Sequence, residues 1–275
     1  MGCAFVNMGR GKLVVFATLV AYVAMVVGLY NSRPFFSCEP WSQSMLLCSP
    51  EDASTYSMVA VIHYSVRDFV LVLGSSLFAL SGFRRGLLKF LWVPASIAVA
   101  EGACMATVLY PVINPSISAV TALAALGSVL VALGYLDIVL NLALIPIAIV
   151  ATPCLATGGF KGFKVVVRKF LGVFAERLVL SFLVVAILRP LIGLGIDYAI
   201  ASVSPLATFV YLRGFNPYTA SILVNAVEHP ELFPSGVAPR IPTWGELASL
   251  VVATCLCGAM CRRLAKLAGA CGRAA

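Results

Sequence analysis

Charge is what this chain has least of. Asp, Glu, Lys and Arg together make 11% of its 275 residues, while hydrophobic residues make 61%. Ordinary soluble domains carry about 25% charged residues, so this balance excludes a soluble globule. Histidine is nearly absent: His63 and His229 are the only two, and they lie in different contexts. That leaves little from which to build a haem or histidine metal centre. The nine Cys residues show no metal-ligand spacing. Cys255, Cys257 and Cys261 fall in an apolar run, where Cys usually acts as a small hydrophobe. Only Cys38 and Cys48, in the polar segment 31–57, are placed for a disulfide, and only if that segment faces an oxidising compartment. With no metal, nucleotide or nucleophile pattern, the chain reads as a non-enzyme that needs no cofactor. The net charge of +8 does not point to nucleic acid, because the basic residues cluster in loops and at the C-terminus. On a membrane protein such clusters mark the loops between spans.

What the chain has instead is long, mostly uncharged apolar runs, the pattern of a multi-pass α-helical membrane protein in a plasma or organelle membrane. The first run, Leu13 to Tyr30, is long for a signal peptide, and Asn31-Ser32-Arg33-Pro34 after it is a poor cleavage site, so it reads as a retained helix. The start Met-Gly-Cys lacks the Ser or Thr of a myristoylation pattern, having Val6 there. Spans are expected at 58–80, 88–110 and 130–156. A Gly- and Lys-rich loop, TGGFKGFKVVVRK, follows, and then spans at 170–188, 190–210 and 245–262.

Two Asn-Pro dipeptides punctuate this pattern: Asn114-Pro115-Ser116 between the second and third spans, and Asn216-Pro217-Tyr218 between the fifth and sixth. Composition alone gives roughly 0.3 such pairs in a chain of this content, so two are an excess. Asn is a good N-cap and Pro is welcome at the first helical position, so each dipeptide reads as the start of a short helix. The halves look like a diverged internal repeat. Arg67-Asp68 opens one apolar run and Glu176-Arg177 another, and each acid is followed by a span and then an Asn-Pro start. Repeats of this kind place a functional site at their interface near the bilayer midplane. Gly127, Gly134, Gly193 and Gly195 read as points of close helix approach.

The order and spacing of VINPSISAVTALAALG and RGFNPYTASILVNAV resemble the two Asn-Pro-Ala half-helices of the aquaporin and aquaglyceroporin family. Further matches are Pro190-Leu191-Ile192-Gly193, the acids Asp68 and Glu176, and Ile241-Pro242-Thr243-Trp244 before the last span. The departures resemble the unorthodox, superaquaporin-like branch. Ser116 and Tyr218 replace the motif Ala, Thr219 stands where water-selective members have Arg, and the fifth span contains no His. The resemblance implies an all-α polytopic fold: a right-handed bundle of six spans and two re-entrant half-helices, with an extra N-terminal hydrophobic helix. It divides the chain into an N-terminal helix and linker at 1–57, repeats at 58–160 and 161–265, and a basic tail at 266–275. It also implies a homotetramer embedded in lipid, conducting water or small neutral solutes such as glycerol.

In that arrangement Asn114, Pro115, Asn216 and Pro217 meet at the pore centre, with Arg213, Thr219 and Ser204 as filter candidates. Half-helix N-termini at mid-membrane present unpaired N–H groups and positive dipole ends, which repel cations and donate to water. Asp68 and Glu176, costly inside a membrane, would accept hydrogen bonds from the backbone of the pore-lining loops. Two other readings stand beside this one. The acids pair with Arg67 and Arg177 at a headgroup boundary, or Asp68, Glu101, Glu176 and Asp197 serve a small proton-coupled transporter. A structural reading also stands, in which Tyr218 closes the pore of an assembly protein. The positive-inside rule runs against the family's orientation, since it would put Arg84, Arg85, Lys89, Lys161, Lys164, Arg168 and Lys169 outside. Charge alone prefers the inverted placement, with segment 31–57 outside.

Overall fold

The computed structural model describes residues 39–40, 45–47, 49–81, 85–108, 136, 139–193, 195–196, 237–239 and 244–274. These residues are almost entirely helical. Among them, five helices are long and apolar enough to cross a membrane: Glu51–Ala79, Gly86–Thr107, Leu140–Lys169, Leu171–Gly193 and Leu247–Arg273. This is the make-up of a multi-pass membrane protein.

The first helix, α1 (Pro50–Ala79), begins earlier than expected, inside the polar segment. Its start is written locally. Ser49 accepts a hydrogen bond from the Asp52 backbone N–H at 3.2 Å, Pro50 sits in the first turn, and Glu51 and Asp52 place negative charge at the positive end of the helix dipole. The short α2 (Arg85–Leu88) leads into α3 (Trp92–Val108). A π-helical stretch, Leu140–Leu144, runs directly into α4 (Ile145–Lys169). α5 (Leu171–Phe182) passes into a second π stretch, Leu183–Leu188, and α6 (Trp244–Ala274) closes the described chain. A small antiparallel sheet of β1 (Glu39–Pro40), β2 (Met45–Leu47) and β3 (Val237–Pro239) pairs Glu39 with Leu47 and Leu46 with Ala238. It lies by the N-terminus of α1, since β2 ends three residues before Pro50.

Two expectations are corrected here. The Gly- and Lys-rich stretch after residue 156 is helical rather than a loop. The bend is confined to Gly159, whose φ of 61° only glycine adopts cheaply, and the helix resumes at once. Arg189-Pro190, expected to separate two spans, lies within one continuous helix, and Arg189 is buried there rather than set in a loop. The preceding turns are π-helical, with the Arg189 N–H bonded to the Val184 carbonyl five residues back. That wider turn accommodates the proline, whose ring would otherwise press on the carbonyl four residues before it. Pro146 follows the other π stretch in the same way, and the two stretches touch each other.

Side-chain contacts fix the helix directions. Thr157 Oγ1 donates to the Ala265 carbonyl at 2.8 Å, and Gly158 and Gly162 lie against Ala268 and Gly272, so α4 and α6 run parallel. Gly74 and Ser75 meet Thr254, and Phe78 meets Gly258, so α1 runs parallel to both. Glu101 and Gly102 face Arg67 and Ser65, and Met105 packs with Ala60 and Tyr64, which makes α3 antiparallel to α1. Gly193 lies by Gly245, and Phe163 packs edge-on to Phe174 at 5.9 Å, which makes α5 antiparallel to α4 and α6. The core between α1, α4 and α6 is built from Leu71, Ile149, Cys154, Leu250, Cys257, Cys261 and Leu264, all fully buried.

The directions sort the bundle into two unlike ends. The starts of α1, α4 and α6 and the ends of α3 and α5 share one end with the sheet. The opposite end carries Lys89, Lys161, Lys164, Arg168, Lys169, Arg262, Arg263, Lys266 and Arg273, all exposed. The described residues flanking segment 109–135 lie at the sheet end, and so do those flanking segment 197–236. Among the described residues, two membrane-length helices, Leu140–Lys169 and Leu171–Gly193, lie between these segments; most of the expected fifth span, 190–210, lies outside the described residues.

Candidate charged site between the first two spans

The site grows from a single register on α1. His63 and Arg67, and likewise Tyr64 and Asp68, are four residues apart, so each pair stacks on one face of the helix. All four are buried in a run that is otherwise apolar. Arg67 lies roughly 25 Å from the start of α1 and roughly 18 Å from its end, at mid-span by the helical rise.

Arg67 grips its neighbour Asp68 with two bonds, Nε to Oδ1 at 2.7 Å and Nη2 to Oδ2 at 3.0 Å. The same Nη2 reaches Glu101 Oε1 on α3 at 3.6 Å, an ion pair longer than a hydrogen bond. The guanidinium also lies 5.2 Å from the centroid of the Tyr64 ring, within cation–π range, and His63 packs edge-on to Tyr64 at 4.9 Å. Asp68 is fully buried, and Arg67 and Glu101 are almost so. Gly102, next to Glu101, packs against Ser65, whose hydroxyl would have to turn aside for a Cβ there. Arg serves here better than Lys would, since its planar fork binds one carboxylate bidentately and still presents a donor to another. The arrangement is therefore one cation shared unequally by two carboxylates on two helices.

The structure places the expected site residues unevenly. Asp68 is buried, but its carboxylate is taken by Arg67 rather than set aside for a backbone. Glu176 is not a buried acid. Its side chain is 55% exposed and 3.4 Å from Arg177, because it sits early on α5, the helix that turns most of its apolar surface outward. The headgroup-boundary pairing thus describes Glu176, whereas the Arg67 pair lies deep in the span. Asn114, Pro115, Ser116, Ser204, Arg213, Asn216, Pro217, Tyr218 and Thr219 lie outside the described residues, as do Asp197, Cys38, Cys48 and the run Leu13–Tyr30.

Sequence reading named Glu101 only among scattered acids and did not join it to Arg67. The available signal was three ionisable residues and a histidine interrupting apolar runs, a pattern that marks function in membranes. Among the described residues no group of His, Cys, Asp and Glu converges to hold a metal ion, and Cys104, Cys154, Cys255, Cys257, Cys261 and Cys271 are free thiols. Compared with protein-family models, curated proteins and solved structures, the chain matches none of them.

Proposed function

We propose that this chain is a small proton-coupled membrane transporter with Arg67, Asp68 and Glu101 as its coupling site. The observation that carries the reading is the unequal sharing of one mid-span guanidinium between carboxylates on two helices. Ionisable groups at this depth are costly and mark ion or proton pathways. Ionised Glu101 draws Arg67 toward α3. When Glu101 takes up a proton its ion pair with Arg67 is lost, and the bidentate pair with Asp68 remains. The protonation state of one side chain thereby selects between two arrangements of the helix pair, which is what coupling requires.

Infrared difference spectroscopy of the protein in nanodiscs, taken across a pH step, tests this without knowledge of the solute. A carboxylic-acid carbonyl band that disappears in Glu101→Gln, with the fold retained, is the expected result. A band set identical in wild type and Glu101→Gln rejects the coupling role.

A second reading is a passive channel for water or small neutral solutes, as the aquaporin-like resemblance implies. It is favoured by one structural fact: the described residues on both sides of each Asn-Pro segment lie at the same end of the bundle, by the sheet. In this reading the protein works as a homotetramer. Stopped-flow shrinkage of proteoliposomes with water, glycerol and urea separates the readings. A channel gives shrinkage faster than empty liposomes that Asn216→Asp alters and Glu101→Gln does not. Shrinkage at the empty-liposome rate for all three solutes removes the channel. In either case the positive-inside rule orients the basic end toward the cytoplasm and the sheet away from it.

A further inference from the structure

We infer that the basic end of the bundle is a docking surface for anionic lipid headgroups, built by the close contact of two like-charged helices. Beyond the Gly159 bend, Lys161, Lys164 and Arg168 follow one another at helical spacing on the exposed face of α4. Arg262, Lys266 and Arg273 do the same on α6. The two stripes belong to helices in backbone contact. A Cβ on Gly162 would stand 2.5 Å from the Ala268 carbonyl oxygen, and one on Gly272 would stand 2.6 Å from that of Gly158.

Packing two cationic helices this closely is unfavourable unless anions sit between or over their charges. The flanking sequence does not supply them. Residues 85–92, 157–173 and 258–274 contain no Asp or Glu. Among the described residues, none of these six cations takes part in an ion pair with a carboxylate such as those of Asp68, Glu101 and Glu176. With no described carboxylate meeting them, these cations are open to an external anion.

The surroundings name its source. Phe160, Leu171, Trp92 and Leu88 stand at this end with exposures of 66%, 59%, 57% and 54%. Apolar and aromatic side chains bordering a row of cations match the depth profile of a membrane interface, with rings in the acyl boundary and charges among headgroups. A soluble polyanion would satisfy the cations and leave that border in water. The inference is independent of the transport reading, since it rests on the end of the helices opposite the sheet and on none of the charged-site residues.

Native mass spectrometry of the detergent-solubilised full chain, offered equal amounts of phosphatidylglycerol and phosphatidylcholine, tests it. Retention of phosphatidylglycerol at least about tenfold over phosphatidylcholine is expected, given the number of charges involved. The preference should collapse in Lys161→Gln/Lys164→Gln/Arg168→Gln and persist in Glu51→Gln, at the far end. It should also fall in wild type on adding about 0.5 M salt, a measurement that holds even if the triple variant misfolds. Equal retention of the two lipids overturns the inference. So does a preference that the triple variant or salt leaves intact. Displacement of the lipid by equimolar inorganic pyrophosphate would assign the stripes to soluble anions and overturn the lipid assignment.

Discussion

Arg67→Ala is expected to lower the stability of the folded chain by about 3–5 kcal/mol, the usual consequence of stripping the partner from a buried ion pair. The size follows from what remains. Asp68 is fully buried and Glu101 is 3% exposed, so neither carboxylate has water to turn to. Asp68 in the variant must keep its charge at mid-span without its bidentate partner or take up a proton, and both routes cost free energy. Thermal unfolding of the purified protein in one detergent reads the effect directly. Wild-type stability in Arg67→Ala would show that the guanidinium does not hold the two helices.

The same geometry ranks the relatives of that variant. Arg67→Lys keeps the charge but loses the fork, so it should fall between alanine and wild type. The triple variant Arg67→Met/Asp68→Asn/Glu101→Gln removes all three charges and should recover most of the lost stability, because a neutral pack of similar volume avoids the desolvation cost. The two contact lengths also predict unequal coupling. A double-mutant cycle should give a larger interaction energy for Arg67 with Asp68, at 2.7 Å and 3.0 Å, than for Arg67 with Glu101, at 3.6 Å. Recovery of stability without recovery of the Glu101 proton band would separate the structural from the functional use of the cluster.

Parts of this fold are legible in the sequence and parts are not, for identifiable reasons. The apolar runs state their membrane character because length and lack of charge suffice for that. The start of α1 is equally local: Ser49-Pro50-Glu51-Asp52 is a cap, a first-turn proline and two dipole-matched acids. Arg189-Pro190 misleads because the usual rule treats proline as a breaker, and nothing in LVVAIL announces the π turns that accommodate it. The stretch around Gly159 misleads for a similar reason. Its glycine and lysine content reads as loop, yet one residue with positive φ carries the whole bend. The pairing of Arg67 with Glu101 is non-local, across 34 residues of sequence, and depends on α3 returning antiparallel to α1 with Gly102 at the contact. The apparent repeat of acid, span and Asn-Pro start is real as a pattern.

Gly162→Leu is the second large effect expected, and it tests those directions. A Cβ at Gly162 would meet the Ala268 carbonyl oxygen at 2.5 Å and the Gly272 nitrogen and Cα at 3.2 Å and 3.3 Å. All three are backbone atoms of α6, so no side-chain rotation relieves the clash, and the helices must separate. Overpacking a buried contact costs about 1–3 kcal/mol when side chains can yield, and a backbone clash lies at or above the top of that range. Two other glycines provide the scale. Gly159→Ala meets nothing within 4 Å, so only its backbone opposes it: φ 61° with ψ −169° is a region essentially confined to glycine, at a cost of about 1–3 kcal/mol for another residue. Gly172→Ala meets nothing within 4 Å and has no positive φ, so it should be neutral or stabilising by about 0.4–1 kcal/mol. Melting temperatures should therefore fall in the order Gly172→Ala, Gly159→Ala, Gly162→Leu. If Gly162→Leu melts with Gly172→Ala, α4 and α6 do not meet side by side at this register. The parallel course of those helices would then lose its main support, and with it the sorting of the bundle into a sheet end and a basic end.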